Sequence, residues 1–179
     1  LRVEDLSSAT TQRTRTASVG AHTAQAWSQC DSGTTPTGGL RASVMSFAAQ
    51  SGESQATCNR AATASTTQTT EFKVTSRAQA FRLRGALSGV SEPGVADAQQ
   101  RRVCTIRLIG ESGVVHESTP TPGATATTFD TPVTLEPGTY RVEVTTRARA
   151  ESGKTKSADP MIASVQWTLE PATAVASRK

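Results

Sequence analysis

Hydrophobic and polar residues alternate along most of this chain with a period of two. Residues 135–150, LEPGTYRVEVTTRARA, contain a turn and then a segment with Tyr140, Val142 and Val144 on one side and polar side chains on the other. Successive side chains of a β-strand point to opposite faces, so this pattern predicts a half-buried strand. Similar segments recur between turns rich in glycine and proline, and none has the period of an amphipathic helix.

About ten such segments predict an all-β sandwich or barrel. We expect a single domain over residues 14–171, an N-terminal arm over residues 1–13 and a C-terminal tail over residues 172–179.

Three local patterns make more specific predictions. The apolar phase of RTRTASVGAHTAQAWSQC changes near His22, which predicts a β-bulge within one strand. Residues 31–39, DSGTTPTGG, are predicted to form a loop because of their glycine and proline content. Residues 55–65 and 71–76 are predicted to be two separate strands on either side of TTQTT.

Small side chains dominate the composition. There are 29 threonines, 19 serines and 26 alanines among 179 residues. Threonine favours strands, whereas a core built partly from alanine buries less apolar area per residue. We therefore expect the domain to gain stability from a disulfide, a neighbour or an assembly.

The net charge of +4 is spread along the chain. Nucleic-acid binders concentrate basic residues on one face, so nucleic acid is not favoured as a partner. No stretch approaches the roughly 20 apolar residues of a membrane span. The chain begins at Leu1, and we expect an exported protein, secreted or at the cell surface. Either a leader has been removed from it or the chain is a segment excised from a longer protein.

The three cysteines are Cys30, Cys58 and Cys104. Cys30 and Cys58 lie in similar segments rich in serine, threonine and alanine, and we predict a disulfide between them. Cys104 alternates with Ile106 and Leu108, which predicts a small buried hydrophobe, and an intermolecular bond is the alternative.

The motifs of common enzymes are absent from the sequence. No serine lies in a Gly-x-Ser-x-Gly elbow, and Gly153-Lys154-Thr155 lacks the upstream glycine of a phosphate loop. His22 and His116 are the only histidines and have no spacing typical of zinc ligands. We expect a protein without catalytic activity, cofactor or metal.

Two groups of residues are candidates for ligand binding. Trp27 shares its phase with Gln25 and Gln29, so it is predicted to lie on a polar face, where it binds a ligand or packs under a loop or in a subunit contact. Six arginines at alternating positions would form a stripe if their strands adjoin, and that stripe would recognise acidic glycans or a neighbouring subunit. The alternative is a solvated face balanced by glutamates. The arginines are Arg82, Arg84, Arg107, Arg141, Arg147 and Arg149.

Four segments carry a resemblance to uncharacterised bacterial exported β-sandwich domains rich in serine, threonine and alanine. They are FKVTSRAQAFRLRGALSG, IRLIGESG, TLEPGTYRVEVTTRARA and ASVQWTL. CDSGTTPTGG is similar to a stretch found in secreted actinobacterial proteins. The resemblance implies an extracellular or surface-associated domain with an antiparallel, jelly-roll-like β-sandwich, and it transfers no catalytic residue.

These observations favour a non-enzymatic structural or adhesive protein of the cell surface or extracellular matrix, including a self-assembling surface or filament subunit. A carbohydrate-binding module of a secreted protein is the first alternative. A jelly-roll subunit of a viral capsid or appendage is the second.

Overall fold

The computed structural model describes residues 11–19, 22–51, 60–75, 77–88, 102–121, 124, 126–152 and 158–172. The described residues form ten strands and no helix. The strands are β1 (Thr11–Val19), β2 (His22–Thr34), β3 (Leu40–Ser51), β4 (Arg60–Val74), β5 (Gln79–Ser88), β6 (Arg102–Gly110), β7 (Gly113–Ser118), β8 (Thr127–Leu135), β9 (Gly138–Ser152) and β10 (Ala158–Pro171).

These strands form two antiparallel sheets packed face to face. Sheet A has six strands in the order β1-β2-β3-β10-β5-β8, and sheet B has four in the order β4-β9-β6-β7. From β3 to β10 this is the strand order of a jelly roll, in which two Greek keys share two four-stranded sheets. Strands β1 and β2 widen sheet A beyond that unit. The predicted all-β, jelly-roll-like sandwich of about ten strands is confirmed.

The core between the sheets changes in character from one end of the strands to the other. At one end, which we call the large-residue end, bulky side chains are almost completely buried, including Phe81, Leu83 and Trp167. At the other, the alanine end, the buried cluster consists of Ala48, Ala148, Ala163 and Met161. Between them, the buried hydroxyls of Ser46 in sheet A and Thr146 in sheet B hydrogen-bond at 2.8 Å.

The turn of residues 136–138 shows why the sequence pattern around Tyr140 predicts the fold well. Strand β8 ends at Leu135 and β9 begins at Gly138, as the glycine and proline of this turn indicate. The Tyr140 hydroxyl donates a hydrogen bond to the Glu136 carbonyl oxygen at 2.9 Å, and its ring stacks on Phe72 of β4. The predicted alternation along β9 is present, since Val142 and Val144 are buried.

Two sequence predictions about strand boundaries are wrong. The phase change near His22 marks a hairpin and not a bulge, because Val19 of β1 pairs with His22 of β2 across residues 20–21. In addition, β4 is one strand of 15 residues where two were predicted. Its polar middle pairs with β9 without interruption, and threonine is a strong strand former.

The loop predicted over residues 31–39 is shorter than expected. Strand β2 continues to Thr34, and the turn that follows is closed by the Gly39 N–H, which donates to the Thr35 hydroxyl oxygen at 2.9 Å. Residues 1–10 of the predicted arm lie outside the described residues, and residues 11–13 belong to β1. Of the predicted tail, residue 172 alone is described, and its N–H donates to the Ala80 carbonyl oxygen at 2.9 Å.

Cys104 is fully buried, as the alternation predicts, and burial raises the pKa of its thiol to about 11. A thiol enclosed by both sheets is not placed to bond to another molecule.

Candidate functional site

The outer face of sheet A carries a cleft of about 460 Å³, which we call the sheet A trough. It crosses four neighbouring strands, β2, β3, β10 and β5. Strand pairing aligns its outward residues in two rows. One row is Asp31, Ser43, Gln166 and Ala86, and the other is Gly33, Arg41, Thr168 and Arg84.

Small residues make this face concave. Ser43 and Ala86 contribute small side chains to the first row, whereas Asp31, Arg41 and Arg84 are exposed. Gly85 of β5 also has a structural role, because a Cβ atom there would collide with the Gln166 carbonyl oxygen and the Phe129 ring. The trough is therefore shaped by small residues and not by reactive side chains.

An aromatic row lies beside the trough on the same outer face. Trp27 of β2 pairs with Phe47 of β3, and Phe47 pairs with Ile162 of β10. The two rings stack with centroids 5.3 Å apart and planes inclined by 19°. Ile162 is 41% exposed. Trp27 thus lies on the outer face, in the phase that Gln25 and Gln29 indicate, and its role in binding stays a prediction.

The six candidate arginines do not form one stripe. Arg82 and Arg84 are on β5 in sheet A, whereas Arg107, Arg141, Arg147 and Arg149 are on β6 and β9 in sheet B, which lie on the opposite outer face. The sequence pattern could not show this, because sheet membership depends on long-range pairing.

Asp130 of β8 bridges the two arginines of sheet A. Arg82 Nε donates to Asp130 Oδ1 at 2.6 Å, and Arg84 Nε lies 3.3 Å from Asp130 Oδ2. The hydrogen bond from Arg82 lowers the pKa of this carboxyl, with a further contribution from Arg84. One carboxylate therefore neutralises only part of the charge of this pair.

On sheet B, Arg107 lies between two carboxylates. Its Nη2 donates to Glu117 Oε1 at 3.1 Å, and the strand register places it opposite Glu143. The bond to Glu117 raises the pKa of Arg107. In the same register, Arg141 lies opposite Glu71, Arg147 opposite Ser65 and Arg149 opposite Thr63.

The other residues considered for chemistry form no cluster. Among the described residues, no three His, Cys, Asp or Glu side chains are grouped closely enough to hold a metal ion. The His116 Nε2 and Ser118 hydroxyl lie at 2.8 Å, and burial lowers the pKa of this imidazole. Cys30 is half-buried with a raised thiol pKa, and Cys58 lies outside the described residues, so their disulfide stays a prediction.

Strand β4 forms an edge of sheet B that has few features to prevent further pairing. It runs for 15 residues, against six in β7 at the other edge. In the part of the chain that the structure describes, β9 alone pairs with it. Residues 61–70 contain no charged residue, proline or glycine, although charges and prolines are the usual protection of an exposed edge. This edge can therefore accept an incoming strand.

Sheet A extends beyond this edge. Strand β4 packs against β2 and β3, and β1 lies one strand further out. Four inward residues of β2 are only half-buried, whereas their partners on β3 are buried. The pairs are Ala26 with Ala48, Ser28 with Ser46, Cys30 with Val44 and Ser32 with Ala42. The inward face of β2 is therefore partly uncovered beside the edge of β4. We call the space bounded by the β4 edge and covered by β2 and β1 the β4 slot.

Comparisons with known proteins identify no family for this chain. No family model and no curated protein matches the sequence. Among solved structures, the chain is similar to the enzymatically active domain of tailspike protein 4 of bacteriophage CBA120, at 14% identity and a TM-score of 0.30. The match covers 88% of this chain and 19% of the tailspike chain, so this chain spans about a fifth of that structure. A superposition of that quality does not establish a shared fold.

Among the described residues there is no helix of the length and hydropathy needed to span a membrane.

Proposed function

We propose that this jelly roll is a non-enzymatic structural subunit, exported to the cell surface or extracellular matrix, that assembles by accepting a strand from another copy at the β4 slot. The observation that carries the proposal is the unprotected edge of residues 61–70 beneath a half-covered part of sheet A. An added strand would pair with β4 and complete the burial of the inward face of β2.

The overhang of sheet A favours an inserted strand over direct pairing of two β4 edges. Neighbouring strands in a sheet lie about 4.8 Å apart. If β4 paired with β4 of a second copy, β1 and β2 of both molecules would have to occupy the same space across from that pair. A single strand beside β4 avoids this overlap, because it lies beneath β1.

The donor in this proposal is residues 1–10 of the second copy. A ten-residue strand is about 33 Å long, which matches the uncharged stretch of β4 over residues 61–70. Leu1 and Val3 alternate with Arg2 and Glu4. Residues 1–4 of such a strand can therefore direct apolar side chains towards β2 and charged side chains towards water, whereas Asp5 and Leu6 reverse this phase.

Two substitutions on neighbouring residues of β4 test the acceptor. Gln68 faces inward and is half-buried, and its Oε1 atom is buried without a hydrogen-bond partner. Thr67 faces outward and is exposed. An added strand would bury the ammonium group of Gln68→Lys without a partner, at a cost of several kcal/mol. Thr67→Gln places an uncharged side chain on the solvent side and is the control.

Light scattering and electron microscopy over a range of protein concentrations provide the measurement. We expect wild-type protein and Thr67→Gln to form polymers or a defined oligomer. Gln68→Lys and a chain lacking residues 1–10 should remain folded monomers, with association weakened at least about 100-fold, which corresponds to about 2.7 kcal/mol. Circular dichroism confirms that both remain folded.

The outcomes separate the parts of the proposal. A wild-type monomer at every concentration would refute assembly. Polymers that persist without residues 1–10 but not with Gln68→Lys would refute the donor and retain the acceptor. Closed shells with copurifying nucleic acid would assign the subunit to a capsid and refute the surface role.

A further inference from the structure

We propose that the sheet A trough binds a linear acidic polysaccharide, with its carboxylate groups on Arg41 and Arg84 and its sugar rings against the aromatic row. This is a ligand site on the outer face of sheet A, whereas the β4 slot is at the edge of sheet B. It therefore does not depend on assembly.

The charges along one side of the trough favour an anionic ligand. Arg41 is exposed, and no described carboxylate forms an ion pair with it. Arg84 shares Asp130 with Arg82, and Arg82 makes the shorter contact with that carboxylate. Guanidinium groups bind carboxylates through charge-assisted, directional hydrogen bonds. Arg41 and Arg84 thus have unused donors that face the cleft.

The spacing of these arginines suits a polymer. They lie on either side of Thr168, two strands apart, which corresponds to about 10 Å between their backbones. Across its four strands the trough is about 15 Å wide. A sugar chain that runs along the strands can therefore pass between the two arginines, within reach of both side chains.

Uncharged hydrogen-bonding groups line the floor between the charges. Ser43, Gln166 and Thr168 each present a polar side chain at an outward position. Hydroxyl and amide groups both donate and accept hydrogen bonds, as sugar hydroxyls require. Asp31, at the β2 side, adds a carboxylate to the lining.

The aromatic row extends the site along the strands. Trp27 lies four residues before Asp31 on β2, at a distance of about 13 Å along the strand. Its ring stacks on Phe47 beside the exposed Ile162, so this part of the face is apolar. Flat apolar surfaces of this kind complement the apolar faces of sugar rings. A chain laid along β3 and β10 contacts the arginines at one end and the aromatic row at the other.

Carboxylates beside the arginines distinguish this site from one for nucleic acid. Asp31 and Asp130 lie close to the trough arginines, and the strand register places Glu170 opposite Arg82. Nucleic-acid binding depends on neutralising many phosphates at once. This mixture of charges favours a polymer whose carboxylates bind individual arginines at defined positions.

Affinity electrophoresis tests the site with defined polymers. Native protein is run through gels containing polygalacturonate, which carries one carboxylate per sugar ring, and through gels containing neutral dextran. We expect retardation by polygalacturonate and not by dextran. Arg41→Gln and Trp27→Ala should each weaken retardation at least tenfold. Arg141→Gln, which removes an exposed arginine from the opposite face, is the control and should change it less than twofold.

Several results would overturn the proposal. Absence of retardation by polygalacturonate would refute the site. Equal weakening by Arg41→Gln and Arg141→Gln would show attraction by net charge alone, and equal retardation by dextran would refute the role of the carboxylates. Stronger binding to single-stranded DNA than to polygalacturonate would assign the trough to nucleic acid. Because Arg41 is exposed, its variant is expected to fold, and circular dichroism checks this.

Discussion

The two ends of the sandwich differ in the size of the side chains that they bury. The large-residue end fills the space between the sheets with side chains such as Phe81, Leu83 and Trp167. The alanine end brings Ala48, Ala148 and other small residues together. Since the free energy of burial scales with apolar area, the first end supplies most of the hydrophobic stability of the fold.

The same difference is visible along β4. Residues 71–74 place Phe72 and Val74 in the core and charged residues on the outer face. Residues 61–70 carry no charge and place Ala64, Thr66, Gln68 and Thr70 inward, from the alanine end to the part of β9 at Val142. The part of the strand that contributes least to the core is therefore the part most open to a partner.

The largest expected effect comes from truncating a side chain at the large-residue end. Phe81→Ala should lower the free energy of unfolding by about 3–5 kcal/mol, because Phe81 is 1% exposed and the change leaves a cavity. Phe47→Ala makes the same change on the half-buried outer face and is the control, with a smaller loss. Urea denaturation measures both, and equal losses would contradict the assignment of stability to this end.

Adding a side-chain atom to the packed large-residue end should have the next largest effect on stability. Gly85→Ala places a Cβ atom against the Gln166 carbonyl oxygen and the Phe129 ring, and it should destabilise the fold by about 1–3 kcal/mol. Gly33→Ala is the control, because the nearest atom to its Cβ is Arg41 Nε at 3.7 Å. Thermal unfolding compares them, and a Gly85→Ala protein as stable as wild type would show that this end is packed less tightly than described.

A smaller effect is expected at the boundary between the two ends. Ser46→Ala removes the hydrogen bond at 2.8 Å to the Thr146 hydroxyl, and should lower the free energy of unfolding by about 1 kcal/mol. Ser43→Ala changes an outward serine on the same strand and should have almost no effect. If both variants unfold at the same urea concentration, the buried pair does not link the sheets.

The smallest effect concerns a surface charge and depends on pH. The pKa of Asp130 is lowered by its hydrogen bond to Arg82, so its carboxylate stabilises the fold above the ordinary value near 4. That contribution is lost as the pH falls through the lowered pKa. Asp130→Asn should therefore show a smaller fall in Tm between pH 6 and pH 3 than wild type does. An identical fall in Tm would mean that the ion pair between Asp130 and Arg82 is broken in solution.

Sequence alternation predicts most of this fold because each strand has a local signal. The phase of Val142 and Val144, the turn before Tyr140 and the burial of Cys104 are all visible in short segments. The misread hairpin near His22 shows the limit of the same signal, because a change of phase is produced equally by a bulge and by a two-residue connection.

The candidate sites are harder to predict because they depend on which strands adjoin. Arg82 and Arg141 occur in similar alternating patterns, yet they lie on opposite sheets. The sheet A trough joins Asp31 and Arg41, on the consecutive strands β2 and β3, to Arg84 on β5, which is distant in sequence. Trp27 was identifiable by its phase, whereas its partner Phe47 required the register between β2 and β3.

Amide hydrogen exchange on β4 tests the central claim most directly, because it reports on the acceptor edge itself. For wild-type protein, we predict that the amides of residues 61–70 that point away from β9 exchange rapidly at low concentration and become protected as concentration rises. Without residues 1–10 they should exchange rapidly at every concentration. If protection of these amides does not change with concentration in wild-type protein, the β4 slot is not the site of assembly.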